Sequence, residues 1–175
     1  LAGARRAGRS AAVIAIDLDG FKAINDTFGH HAGDLVLRGI AARLAAKTRP
    51  PALLARIGGD ELVALLPGAD ARAAQAAVES YRAAFARPLA IEGREIQAAA
   101  SLGCALFPEQ GLTFAELLRA ADEAMYRVKS ASAAGRSRAS HSPRPEPEER
   151  RPARDRSRRR QHRSGRSGRR VASRR

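Results

Sequence analysis

A chain of 175 residues is long enough to bury a real core but offers only about one domain's worth of it. The net charge of +14 is unevenly spread: residues 136–175 hold 16 of the 32 Lys and Arg but only 4 of the 18 Asp and Glu, so the body is nearly neutral. The single cysteine, Cys104, excludes an internal disulfide framework and fits a reducing, cytoplasmic compartment; no apolar run approaches the length of a membrane span, and no signal peptide is visible. The chain opens at Leu1 rather than Met and so reads as a piece of something longer.

In chain order, "AAVIAIDLD" (11–19) is an apolar run with β-branched residues that ends in acids, the pattern of a buried strand. "GFKAINDTFGHHAG" (20–33) reads as a turn with about one helical turn inside it. From Asp34 to Lys47, apolar residues at Leu37, Ile40, Ala41 and Leu44 follow helical spacing, and "TRPP" (48–51) stops the helix because proline cannot continue its hydrogen-bond ladder. "ALLARI" and "LVALLP" flank Gly58-Gly59 and predict a β-hairpin, with the glycines supplying the positive φ of a tight primed turn. An alanine-rich helix is predicted from about Ala71 to Phe85, closed by Pro88. A second strand pair is predicted over 88–107 with its turn at Gly93, and then a helix carrying Phe114, Leu117, Leu118, Ala121, Met125 and Val128, capped by Thr113. The sum is an α+β fold with helices on a mostly antiparallel sheet. Residues 1–132 form the expected domain, and 133–175 the expected disordered tail, because Arg, Ser, Pro, Gly and His cannot bury a core. Such a tail can bind nucleic acid or anionic surfaces without specificity, or simply be a solvated extension; it carries no aromatic residue for base stacking.

The chemistry concentrates at two strand ends. "DLDGFK" (17–22) closes the first strand and "GGDE" (58–61) forms the hairpin turn. Side chains alternate along a strand, so Asp17 and Asp19 point one way and Leu18 the other. Carboxylates converging without His or Cys suit a hard, oxygen-seeking cation, and Mg²⁺ commonly takes one or two of them and completes its shell with water and phosphate. Solvated acids at strand ends are the competing explanation. His30, His31 and Cys104 have no zinc spacing, Ser101 lacks a nucleophile elbow, and the absence of a G-x-x-x-x-G-K-[ST] stretch excludes a P-loop.

Four stretches, "DLDGFKAINDTFGHHAGD" (17–34), "RIGGDEL" (56–62), "SLGCALFP" (101–108) and "LLRAADEAMYRVK" (117–129), together resemble the GGDEF family, the diguanylate cyclases, in order and spacing. The resemblance covers about residues 5–129. It implies a fold similar to nucleotidyl cyclases and polymerase palms, and a reaction that condenses two GTP into cyclic di-GMP with release of pyrophosphate in a homodimer. It implies that Asp17, Asp60 and the Leu18 carbonyl hold Mg²⁺, that Asn25 and Asp34 recognise guanine, and that Lys22 and Lys129 contact phosphate. Phe21 would line the substrate pocket, Gly58 and Gly59 would let the backbone crowd the triphosphate, and Glu61 matches a carboxylate needed for turnover. Asp34 is also good helix-capping chemistry.

The chain departs from the family pattern at several points. Leu62 stands where the signature has Phe, a loss of packing volume of about 1–2 kcal/mol. The usual opening "LTGLxNR" segment is absent, and the Gly-Arg pair that follows the last helix is delayed to Gly135-Arg136. At the family's R-x-x-D product-binding positions the chain reads "RPPA", with Arg49 kept and Ala52 replacing the acid. The expected activity is therefore a diguanylate cyclase; the alternative is an idle GTP-binding module that regulates a neighbouring domain.

Overall fold

The computed structural model describes residues 8–139, with Gly3 and Arg6 before them, and side chains as far as Ser130. Strand β1 (Ala11–Asp19) is followed by helices α1 (Phe21–Phe28) and α2 (His30–Ala45), then by strands β2 (Leu53–Arg56) and β3 (Glu61–Pro67). Helix α3 (Ala71–Arg82) runs into a 3-10 turn at Ala83–Phe85; strands β4 (Leu89–Ile91), β5 (Arg94–Ile96) and β6 (Ala99–Phe107) lead to helix α4 (Phe114–Ala139). The main sheet is antiparallel in the order β2-β3-β1-β6, and β4 and β5 pair apart from it.

The alternation of β1 explains the layering. Ile14, Ile16 and Leu18 face one side, where they pack with Leu62, Ala64 and Leu102 against Val36, Ile40 and Leu44 of α2 and Val78 and Tyr81 of α3. Ala11, Val13 and Ala15 face the other, against Leu117 and Ala121 of α4. Both faces of the central strand are thus covered by helices, so its apolar run is nearly continuous until the acids at its end. Leu62, at 4% exposure, belongs to the larger core, so the smaller side chain still packs under the hairpin.

The helix ends follow from local chemistry. Asp70 caps α3 by accepting from the Ala73 N–H at 2.8 Å. Thr113 and Glu116 form a capping box on α4: the Thr113 hydroxyl accepts from Glu116 N–H at 3.2 Å, while the Glu116 carboxylate accepts from the Leu112 and Thr113 N–H groups at 2.7 and 3.2 Å. Those bonds hold the Glu116 carboxyl below its ordinary value.

Four expectations are revised. The segment 20–33 holds a full eight-residue helix, α1, and α2 begins at His30 rather than Asp34, with Gly29 at its N-cap. Neither Gly58 nor Gly59 has a positive φ; the loop from Ile57 to Asp60 is longer than a primed two-residue turn and does not require one. The primed geometry lies instead at Glu92-Gly93, with φ of 49° and 76°, between β4 and β5. Helix α4 continues to Ala139, past the expected boundary at 132, where Ala131, Ala133 and Ala134 are strong helix formers. The rest of the expected tail lies outside the described residues. Among the described residues no helix is long and apolar enough to cross a membrane.

Candidate active site

The register brings the two acidic stretches together. Asp17 of β1 lies opposite Glu61 of β3 on one side and Ser101 of β6 on the other. The Leu18 N–H donates to the Asp60 carbonyl at 3.3 Å, which ties the end of β1 to the hairpin loop. Odd positions of β1 face α4, so Asp17 and Asp19 look toward that helix, and Lys129 meets them. Its Nζ lies 2.8 Å from Asp17 Oδ1 and 3.9 Å from Asp19 Oδ1. The buried Ser101 hydroxyl donates to Asp19 Oδ1 at 2.8 Å. The hydrogen bond to Asp17 holds the Lys129 ammonium above its ordinary value, with partial burial opposing and the fields of Asp17, Asp19 and Asp60 adding to it.

The hairpin loop is pinned by a residue whose role the sequence pattern does not reveal. Arg56 donates from Nε to the Gly58 and Gly59 carbonyls at 3.0 and 3.1 Å, and from Nη2 to Gly59 at 2.6 Å. Gly58 is crowded: a Cβ there would stand 2.5 Å from Glu61 Oε2. A Cβ on Gly59 would meet nothing within 4 Å, so the loop backbone presents an open face. Glu61 itself is exposed, and Asp60 is half-buried.

Helix α1 follows β1 directly and carries Phe21, Lys22 and Asn25. Phe21 and Asn25 are one turn apart and both face Gly33 of α2, where a Cβ would stand 1.9 Å from Asn25 Oδ1 and 3.3 Å from Phe21 Cζ. Gly33 therefore lets α1 close on α2, and it sets Asn25 beside the residue adjacent to Asp34. Asp34 is exposed and lies within α2, so it does not cap that helix. Lys22 is exposed.

The donor set fits a hard cation. It consists of oxygen atoms, and the cluster already holds a cation in the form of the Lys129 ammonium. Among the described residues, no three His, Cys, Asp or Glu side chains gather closely enough to hold a metal alone. Two carboxylates and a main-chain carbonyl leave room for the water and phosphate ligands that Mg²⁺ retains.

The family pattern described as "Diguanylate cyclase, GGDEF domain" matches residues 1–135. The chain belongs to the GGDEF-domain family. Among curated relatives, this GGDEF domain is 43% identical over 124 residues to the bifunctional diguanylate cyclase/cyclic di-GMP phosphodiesterase MucR of Pseudomonas aeruginosa, covering 71% of the chain and 18% of the relative. It is 42% identical over 120 residues to the diguanylate cyclase TpbB of the same organism, covering 67% of the chain and 28% of the relative. It therefore spans less than a third of the length of these relatives. Among solved structures, the GGDEF domain of YfiN (TpbB) from P. aeruginosa superposes with a TM-score of 0.72 at 39% identity, covering 74% of this chain and 82% of that one. The GGDEF domain of DgcB from Caulobacter crescentus, solved in complex with c-di-GMP, superposes with a TM-score of 0.69 at 29% identity, covering 74% and 78% of the two chains. The α+β reading of the sequence thus stands as a GGDEF fold.

Reasoning from sequence overlooks Gly33, Arg56 and Gly103, and it weighs Ser101 only as a nucleophile and not as the donor to Asp19. A Cβ on Gly103 would meet the Ala121 carbonyl at 2.1 Å and Met125 N at 2.3 Å, so α4 rests directly on β6 there. The only sequence signal for any of them is their place inside the four family-like stretches.

Proposed function

We propose that this domain is a diguanylate cyclase: it condenses two GTP into cyclic di-GMP with release of pyrophosphate, in the bacterial cytoplasm, as a transient homodimer. The observation that carries this reading is the register that sets Asp17 opposite Glu61 and ties Leu18 to the Asp60 carbonyl, bringing the two acidic stretches to one sheet end. Asp17, Asp60 and the Leu18 carbonyl would hold Mg²⁺. Bound there, the metal supplies activation of the attacking 3′-hydroxyl and neutralisation of charge on the leaving pyrophosphate.

The chain's own residues do the rest. The loop backbone, fixed by Arg56, is open at Gly59, where a triphosphate can approach without a side chain in the way. Lys22 and Lys129 neutralise phosphate charge, and Phe21 lines the base pocket. Asp34 accepts from guanine N1–H and the exocyclic amine, with Asn25 beside it, whereas adenine presents an acceptor at N1. Glu61 is the further carboxylate required for turnover. One subunit holds one GTP, so a second copy must bring the other. The burial of Leu62 supports an intact hairpin and therefore the enzyme over an idle GTP-binding module. The test is incubation with GTP and Mg²⁺ followed by chromatography: cyclic di-GMP and pyrophosphate are expected, and GTP binding without product would leave the idle module instead.

A further inference from the structure

Helix α4 is set at a fixed height over the sheet. Gly103 brings the α4 backbone at Ala121 and Met125 against β6 with no side chain between them. Lys129 is one helical turn beyond Met125, and this contact delivers its ammonium to Asp17 and Asp19. Lys129 contacts Asp17 and Asp19, Glu61 lies opposite Asp17 in register, and the field of Asp60 also reaches the ammonium. Carboxylates at one sheet end repel one another unless a cation compensates them, and Lys129 is the cation that contacts Asp17 and Asp19.

Resting on the metal assignment above, we propose that Lys129 is the resident counter-ion of the carboxylate cluster in the nucleotide-free domain. Free metal competes with it for Asp17, and the phosphates of a bound nucleotide offer the ammonium another partner. Lys129 thereby acts as a positioning residue that holds Asp17 and weakens the binding of free metal there.

The test uses free Mn²⁺ without nucleotide, followed by electron paramagnetic resonance on the intact chain, with folding checked by circular dichroism. The Lys129 side chain is 45% exposed, so Lys129→Met should tighten Mn²⁺ binding by only about two- to fivefold. Adding Asp17→Asn should remove that gain. Arg127→Met deletes a neighbouring cation that bonds instead to the Glu123 carbonyl, and it should give no gain. Unchanged or weaker Mn²⁺ binding in Lys129→Met would overturn the proposal, as would an equal gain in Arg127→Met, which would reveal a general field effect. If Lys129→Met shows no gain while Asp17→Asn still weakens Mn²⁺·GTP binding, the counter-ion role fails and the metal assignment stands. If Asp17→Asn changes neither free Mn²⁺ nor Mn²⁺·GTP binding, the metal assignment falls with it.

Discussion

Asp17 and Glu61 stand directly opposite each other on adjacent antiparallel strands. Like charges in that relationship are destabilising, by about 0.2–1 kcal/mol, and the Lys129 ammonium bonds to Asp17 on the same face. Glu61→Gln should therefore stabilise the nucleotide-free domain by about that amount in urea titration while abolishing turnover. A loss of stability on the same substitution would mark Glu61 as a structural residue.

Base choice should depend on Asp34 without any capping cost. Because Asp34 lies inside α2 and not at its N-cap, Asp34→Ala should leave the helix intact by circular dichroism. It should also erase the preference for GTP over ATP in binding titrations. Gly33→Ala should weaken GTP binding too, since the new methyl group collides with Asn25 Oδ1 and must push it aside.

Product inhibition should be weak. Arg49 is present, but Ala52 stands where the family's product site has an acid, and the loss of one charge-assisted partner costs about 1–3 kcal/mol. Calorimetry with cyclic di-GMP should find no tight site that depends on Arg49. Submicromolar binding lost in Arg49→Ala would contradict this.

Acid should loosen α4 through its capping box. Hydrogen bonds from the Leu112 and Thr113 N–H groups, the largest causes, hold the Glu116 carboxyl below its ordinary 4.5. A carboxyl depressed in the folded state contributes stability that is fully present above its unfolded value and lost as pH falls through the folded one. Stability measured from pH 6 downward should thus decline more steeply in wild type than in Glu116→Gln; equal slopes would deny the capping box a role.

How much of this was legible in the sequence depends on the distance over which each feature acts. The strand-end acids were legible, because alternation puts Asp17 and Asp19 on one face whatever the rest of the fold does. The start of α2 was not: Gly29 breaks the chain there with φ 87° and ψ 158°, and backbone freedom competes with Asp34 as a start signal. Gly58 and Gly59 looked like a turn requirement, yet one is crowded by Glu61 and the other faces open space. Ser101 and Asp19 are 82 residues apart, and Lys129 and Asp17 are 112 apart. No local pattern contains such pairings; they appear only when β6 and α4 close on β1.

The measurement that tests the catalytic reading most directly is turnover of GTP with Mg²⁺ by wild type, Asp17→Asn and Asp60→Ala, over a protein dilution series and at folding matched by circular dichroism. Wild type should make cyclic di-GMP with specific activity that rises with protein concentration until dimers saturate, and both variants should fall to background while still folded. Undiminished cyclic di-GMP synthesis by folded Asp60→Ala would contradict the account.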